Sequence, residues 1–288
     1  MAAPRIPIRQ SPSRIDYDYA TVRLTQGRVD KGLIAIPKGL AHLFPARNGV
    51  VHVYLDNSNI LQPMSYSSFD SSTKECRVGG LRRWFDRTGI KSGDEIVIQV
   101  IDKSSAVYRF ALERTFVQNT QRLQSGIDTA KHGADVLKEV SELCNWVNVE
   151  PSQVFVKEFA RLARAKLMKE RRNVARESRV RESVPSYLKV LFERVYKGHC
   201  QICDFWFMKR DGNPYYEMHH IRPDLAHHPK NLLVVCGNCH NQFEFADVET
   251  GFDQSGWLKR VRFNDRWYKV FQILLEKELK SSQKTLYF

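Results

Sequence analysis

The sequence is short of cysteine, short of helix breakers in its middle third, and without any long apolar run. Six cysteines in 288 residues are too few for a disulfide scaffold. No apolar stretch approaches the roughly 20 residues that a bilayer span needs. The start, Met1-Ala2-Ala3-Pro4-Arg5-Ile6-Pro7, lacks the apolar core of an export signal. A membrane protein and a secreted disulfide fold are therefore not expected, and a cytoplasmic chain with reduced thiols is. No internal repeat is visible. Acidic charge is also scarce: 32 Asp and Glu face 45 Lys and Arg, a net charge of +13 with a pI near 9.5. Such an excess serves solubility, or it recruits a polyanion whose counterions Lys and Arg displace. No amphipathic helix with a clean basic face stands alone at either end to favour a lipid surface.

What is present is unevenly spread. Residues 1–14 are polar and carry Pro4, Pro7 and Pro12, the composition of a flexible tail. Residues 15–112 alternate in the manner of strands, with β-rich runs at 19–24, 32–37, 50–55, 95–101 and 106–112 bounded by Gly, Asp, Asn and Pro. Short helices are predicted at 39–44, stopped by Pro45, and at 81–87, stopped by Gly89.

Residues 113–184 have almost no Gly or Pro, and their apolar residues recur at helical spacing, as in Leu137, Val140, Leu143 and Val147. Pro151 should separate two helices. Beyond it, basic residues from Lys157 to Arg181 outnumber Glu158, Glu170, Glu177 and Glu182. That helix is either a solvated linker or a segment running beside phosphates. In residues 185–288 a helix is predicted at 187–196. A last amphipathic helix is predicted at 264–279, burying Trp267, Val270, Phe271, Leu274 and Leu275.

The chemistry concentrates between 200 and 244. Cys200-Gln201-Ile202-Cys203 and Cys236-Gly237-Asn238-Cys239 each offer two thiolates to one ion, and together they complete a closed tetrahedral shell of the kind that binds structural Zn²⁺. His219 and His220 are adjacent on a predicted strand, so their side chains face opposite ways. His240 directly follows the last Cys at the expected start of a helix, where it can join one of them on a second ion.

These residues resemble the HNH nucleases, and most closely the McrA-type with a four-cysteine zinc. The match runs over Tyr216-Glu217-Met218-His219-His220-Ile221, Asn231 and Cys236-Gly237-Asn238-Cys239-His240, within residues 196–245. The resemblance implies a ββα-metal fold. It makes His220 the general base, Asn231 the residue that orders the loop presenting it, and His219 and His240 ligands of a catalytic divalent ion. It also implies hydrolysis of DNA to 5′-phosphate and 3′-hydroxyl ends. Several relatives carry another His one turn after His240. Here Glu244 stands there, either as an oxygen ligand suited to Mg²⁺ or Mn²⁺, with Ni²⁺ a further candidate, or as surface charge. His227 and His228 read as solvent- or phosphate-facing residues.

A second resemblance covers the N-terminal part. Val78-Gly79-Gly80-Leu81-Arg82-Arg83-Trp84-Phe85, followed by Gly93-Asp94 and a strand, is similar to the plant B-three-type DNA-binding pseudobarrel. Two arms between its strands would enter the major groove. They correspond to residues 25–31, with Gln26, Arg28 and Lys31, and to residues 65–74, with Tyr66, Ser68 and Lys74.

The expectation is thus an α+β chain: a β-pseudobarrel reader, a basic helical linker, and an HNH domain with a structural zinc. Its partner would be double-stranded DNA, met by a homodimer where the target is palindromic. The function expected is that of a restriction endonuclease, including the modification-dependent kind. The alternatives are a homing or phage-type nicking nuclease, or a zinc-containing DNA-binding regulator without catalysis.

Overall fold

A computed structural model describes residues 15–69, 75–167 and 183–274, and the chain falls into two compact units. One comprises Met1–Leu123 with Asn145–Asn148, the other Gln124–Cys144 with Val149–Phe288. The predicted tail, Lys74, and the basic residues from Lys169 to Arg181 lie outside the described residues.

Period-two alternation builds the first unit. Its strands are β1 (Ala20–Arg23), β2 (Ile34–Ala35), β3 (Gly49–Leu55), β4 (Leu61–Ser67), β5 (Arg77–Gly79), β6 (Glu95–Asp102) and β7 (Val107–Leu112). They form one barrel-like sheet in the order β1-β6-β7-β3-β4-β5-β2, antiparallel except where β3 runs parallel to β7. In β3 the alternation puts Val51, Val53 and Leu55 inward, where they are buried. Trp84 and Phe85 of α2 (Arg82–Thr88) complete that core. Trp84 donates its indole N–H to Asp56 Oδ2 at 2.6 Å, and Leu112 N donates to Asp56 Oδ1 at 3.1 Å. One carboxylate thus ties the helix to the sheet.

The five predicted strands are present, and the expected helix at 39–44 is a 3-10 turn, Lys38–Leu43. Three elements differ from expectation. β4 and β5 are additional strands, and the first predicted arm is largely a short helix, α1 (Gln26–Lys31), ended by Gly32 in the left-handed region at φ 60°.

The second unit contains most of the helices: the latter part of α3 (Glu113–Thr129), the earlier part of α4 (Gly133–Val147), then α5 (Pro151–Arg164) and α6 (Ser186–Tyr196). Pro151 opens α5, where its missing N–H costs nothing. Phe159 of α5 meets Phe192 and Tyr196 of α6 and stacks on Trp257. Two expectations about these helices are corrected. Leu137 is exposed rather than part of the buried stripe. Arg161 is neither solvated nor turned to a phosphate. It holds Asp128 at 2.6 Å and Glu158 at 2.7 Å, and Glu158 is fully buried. A buried carboxylate needs that charge beside it.

The remainder of the unit is an antiparallel pair, β8 (Glu217–His220) with β9 (Leu232–Val235), then helix α7 (Gly237–Phe245) and an antiparallel sheet of β10 (Val248–Phe252), β11 (Leu258–Phe263) and β12 (Arg266–Lys269). The predicted last helix is overturned over 264–272, while its residues 275–279, Leu275 among them, lie outside the described residues. Asn264, at φ 50°, makes a two-residue turn between Phe263 and Arg266, so β12 returns along β11. Val270 is buried as expected, while Trp267 and Phe271 are exposed.

Candidate metal centre

The four thiols come together. Cys236 precedes α7 as its N-cap, with its sulfur accepting from Cys239 N at 3.5 Å, so one turn of helix presents both sulfurs of the second pair. The first pair sits on a knuckle closed by Cys200 N to Phe205 O and Asp204 N to Cys200 O. Gly198 enters that knuckle at φ 76°, and a Cβ there would lie 2.4 Å from Pro214, so no other residue fits. All four sulfurs lie within 4.8 Å of one another. Cys203 is 3.7 Å from Cys236 and 3.6 Å from Cys239. A tetrahedral Zn²⁺ with bonds of about 2.3 Å has sulfur–sulfur edges of about 3.8 Å, so the donor set fits that ion. The thiols already share protons unequally. A hydrogen bond from Cys239 pulls Cys200 down to about 5, and the same bond pushes Cys239 up. A metal binding here would displace the protons that remain.

The imidazoles divide as strand alternation requires. His219 faces α7, and its ligand nitrogen lies within 4.8 Å of the ligand nitrogen of His240 and of a Glu244 carboxylate oxygen. One helical turn separates His240 from Glu244, which places both on one face of α7. Phe243, on the same helix, stacks on the His219 ring at 4.0 Å and fixes its plane. Glu217 bonds to His240 Nδ1 through Oε2 and accepts from Tyr215 Oη through Oε1. The Tyr215 bond first, and then His240, hold the Glu217 carboxyl below its ordinary range. A carboxylate on one imidazole nitrogen leaves the other aimed at the group, the arrangement that orients histidine ligands in metal sites.

His220 faces the other way. Its Nε2 is 2.9 Å from His227 Nδ1, and burial first, then the nearby His227, lower its pKa. His227 is thus a partner of His220 rather than a solvent-facing residue. Its own Nε2 is buried with no hydrogen-bond partner among the described residues. His228 is likewise corrected: it is buried, accepts from Lys230 N through Nδ1 and contacts Ala165 O through Nε2 at 3.0 Å.

Asn231 is buried between the two strands and holds the intervening loop. Its Oδ1 accepts from Arg222 N at 2.9 Å, and its Nδ2 donates to the carbonyls of Arg222, Leu225 and Ala226 at 3.0–3.3 Å. These are the side-chain-to-backbone bonds implied for it. The sequence reading missed Glu217, Tyr215, Phe243 and His227. Only Glu217 carried a signal, standing two residues before His219 on the same face of a strand.

The expected DNA-reading residues scatter. Gln26 and Lys31 are exposed on α1, with Gln26 bonded to Asp30 at 2.7 Å, and Arg28 is ion-paired to Glu75 at 3.0 Å. Tyr66 and Ser68 are corrected by burial. Tyr66 bonds to Pro45 O and Cys76 inside the barrel, and Ser68 is held by Asn48 through both its N–H and its hydroxyl. Neither side chain is presented to a groove.

No family model matches the sequence, and no curated protein matches it. Among solved structures the chain is similar to an Arabidopsis FUS3–DNA complex, at 14% identity over 33% of this chain and 94% of that one, with a TM-score of 0.28. It is also similar to an Arabidopsis thaliana transcription factor LEC2–DNA complex, at 18% identity over 31% and 86%, with a TM-score of 0.26. Both are B3-domain plant proteins, the class that the N-terminal sequence resembles.

Proposed function

We propose that the chain is a metal-dependent DNA endonuclease of the HNH kind, a restriction enzyme in which the barrel-like unit selects the site and the C-terminal unit cuts. The gathering of His219, His240 and Glu244, with His220 on the reverse side of the same strand, carries this reading. Burial and His227 favour the neutral His220 imidazole, which has a lone pair to take a proton from water. With Nε2 engaged by His227, Nδ1 is the nitrogen left for that task. Asn231 keeps the loop between the strands in one shape, and Glu217 and Phe243 fix the rings of His240 and His219. A divalent ion held by His219, His240 and Glu244 would offset charge on the attacked phosphate and on the leaving 3′-oxygen. One carboxylate among the donors suits Mg²⁺ or Mn²⁺, and two imidazoles admit Ni²⁺. The four thiols would hold zinc as a staple. On this reading Gln26, Arg28 and Lys31 remain candidate readers of the duplex, and the protein works in the cytoplasm on double-stranded DNA.

The test is cleavage of one plasmid, with and without cytosine methylation, under Mg²⁺, Mn²⁺ and Ni²⁺, followed by sequencing of the ends. Breaks with 5′-phosphates are expected, lost in His220→Ala while binding persists. A chain that binds but cuts nothing under any of these ions is a zinc-containing DNA-binding regulator instead. Paired breaks at a palindrome favour restriction by a dimer, whereas single-strand nicks at a long asymmetric site favour a homing or phage-type enzyme.

A further inference from the structure

The hairpin of β11 and β12 is a basic surface of the C-terminal unit with nothing yet to do. Lys259, Arg260, Arg262, Arg266 and Lys269 lie on its strands, which carry no acid. Its inner face belongs to the core, through Val261 and Phe263. The register puts Arg260 opposite Lys269 and Arg262 opposite Trp267, so these four side chains share the outer face. On β10 the residues opposite Arg260 and Arg262 are Gly251 and Glu249.

Arg260 is held in a particular pose. Its guanidinium lies over the exposed Trp267 ring, 4.6 Å from the centroid, while its stem crosses Gly251. A Cβ on Gly251 would come within 2.8 Å of Arg260 Cγ and Nε, so glycine is what lets the side chain lie flat. Arg262 is matched by Glu249 at 3.0 Å and Asp247 at 3.5 Å, but no acid pairs with Arg260 among the described residues. A guanidinium fixed by stacking keeps its edge N–H groups for a planar or tetrahedral oxyanion and loses little freedom on binding one.

The hairpin is also joined to the candidate metal centre. Phe263 on its inner face packs edge-on against Phe243 at 5.0 Å, and Phe243 stacks on His219. We infer that the outer face of this hairpin, centred on Arg260 and Trp267, is a phosphate-backbone contact for DNA, holding the duplex outside the reactive centre. The inference rests on the nuclease reading, which supplies the polyanion. A stacked arginine with no acid partner among the described residues, beside a cross-strand lysine, matches the charge of a phosphodiester chain, and contact to the backbone carries no sequence preference.

The experiment measures DNA affinity of the full chain against salt concentration, for wild type, Arg260→Gln, Arg260→Lys and Gly251→Ala, on two unrelated duplexes. Arg260→Gln is expected to weaken binding about tenfold on both duplexes. It should also make the slope of log affinity against log salt shallower by about 0.9, the value of one lost phosphate contact. Arg260→Lys should keep the slope but lose part of the affinity. Gly251→Ala, which removes no charge, should weaken binding by dislodging Arg260. Zinc content should stay at the wild-type value in all three, which separates loss of contact from loss of the folded unit. Affinity and slope unchanged in Arg260→Gln overturn the inference and leave the nuclease reading standing. A wild-type chain that binds no DNA at any salt sinks both.

Discussion

Cys239 and His240 are neighbours in sequence, yet they serve two different groups. The thiols of Cys200, Cys203, Cys236 and Cys239 form a cluster that is buried at three of its four positions, whereas His219 and His240 are half-buried and Glu244 is exposed. A helix turns by about 100° per residue, so consecutive positions on α7 point to different surroundings. Donor chemistry follows the surroundings. Four sulfurs, mostly buried, would make a closed shell with no room for substrate. Nitrogen and oxygen at an accessible edge leave positions for water and phosphate. On the proposed reading one short helix anchors a staple and an open site, and each should fail in its own way.

Cys239→Ser tests the staple and should have the largest effect. Zinc content should drop by one equivalent per chain and the C-terminal unit should lose its cooperative unfolding transition. Structural zinc contributes on the order of 10 kcal/mol in small domains. Retention of zinc and of the transition would erase the distinction between the two groups. His240→Ala tests the open site: cleavage should vanish while zinc and folding persist, with a stability loss of about 1 kcal/mol for the bond to Glu217. If this variant unfolds like Cys239→Ser, the two groups are one structural unit.

Asn231→Ala falls between them. It leaves Arg222 N and several carbonyls unsatisfied beneath the loop that follows His220. A loss of about 2 kcal/mol is expected, together with slower cleavage, read by denaturant unfolding and single-turnover kinetics.

The smallest effect concerns His228, whose pKa is lowered by burial. The unfolded chain then binds its proton first as pH falls below about 6.5. Stability should therefore decline from that pH toward the lowered folded value and be unaffected above it, with a slope of at most about 1.4 kcal/mol per pH unit. His228→Gln should flatten that part of the profile, as measured by urea titration at pH 5–8.

How much of this was legible in the sequence depends on what dictates each feature. Cysteine spacing is imposed by coordination geometry, so the four-thiol cluster could be read directly. Strand alternation likewise foretold that His219 and His220 would part company. The outer partners Glu217, Phe243 and His227 are set by packing between elements, and no local period marks them. In the barrel, β4 was hidden because Pro63 interrupts it. That residue lies opposite His52, beyond the Ser65–Ser67 stretch where β5 pairs. The misread last helix had apolar residues at positions 267, 270, 271 and 274, which mimic helical spacing. The contrary signal was Asn264-Asp265, a turn pair between two alternating runs.

Gln201, inside the first Cys-x-x-Cys, shows what the staple is fastened to. Its backbone N–H bonds to Val234 O, and its side-chain oxygen accepts from Val234 N. Its amide nitrogen donates to Phe271 O and Gln272 Oε1, and Phe271 N donates back to Gln201 O. The knuckle is therefore locked by a segment made some 70 residues later, so a chain emerging from the ribosome would hold all four cysteines before this clasp exists. The amides around Gln201 should therefore become slow to exchange with solvent only once residues 271 and 272 have also been released.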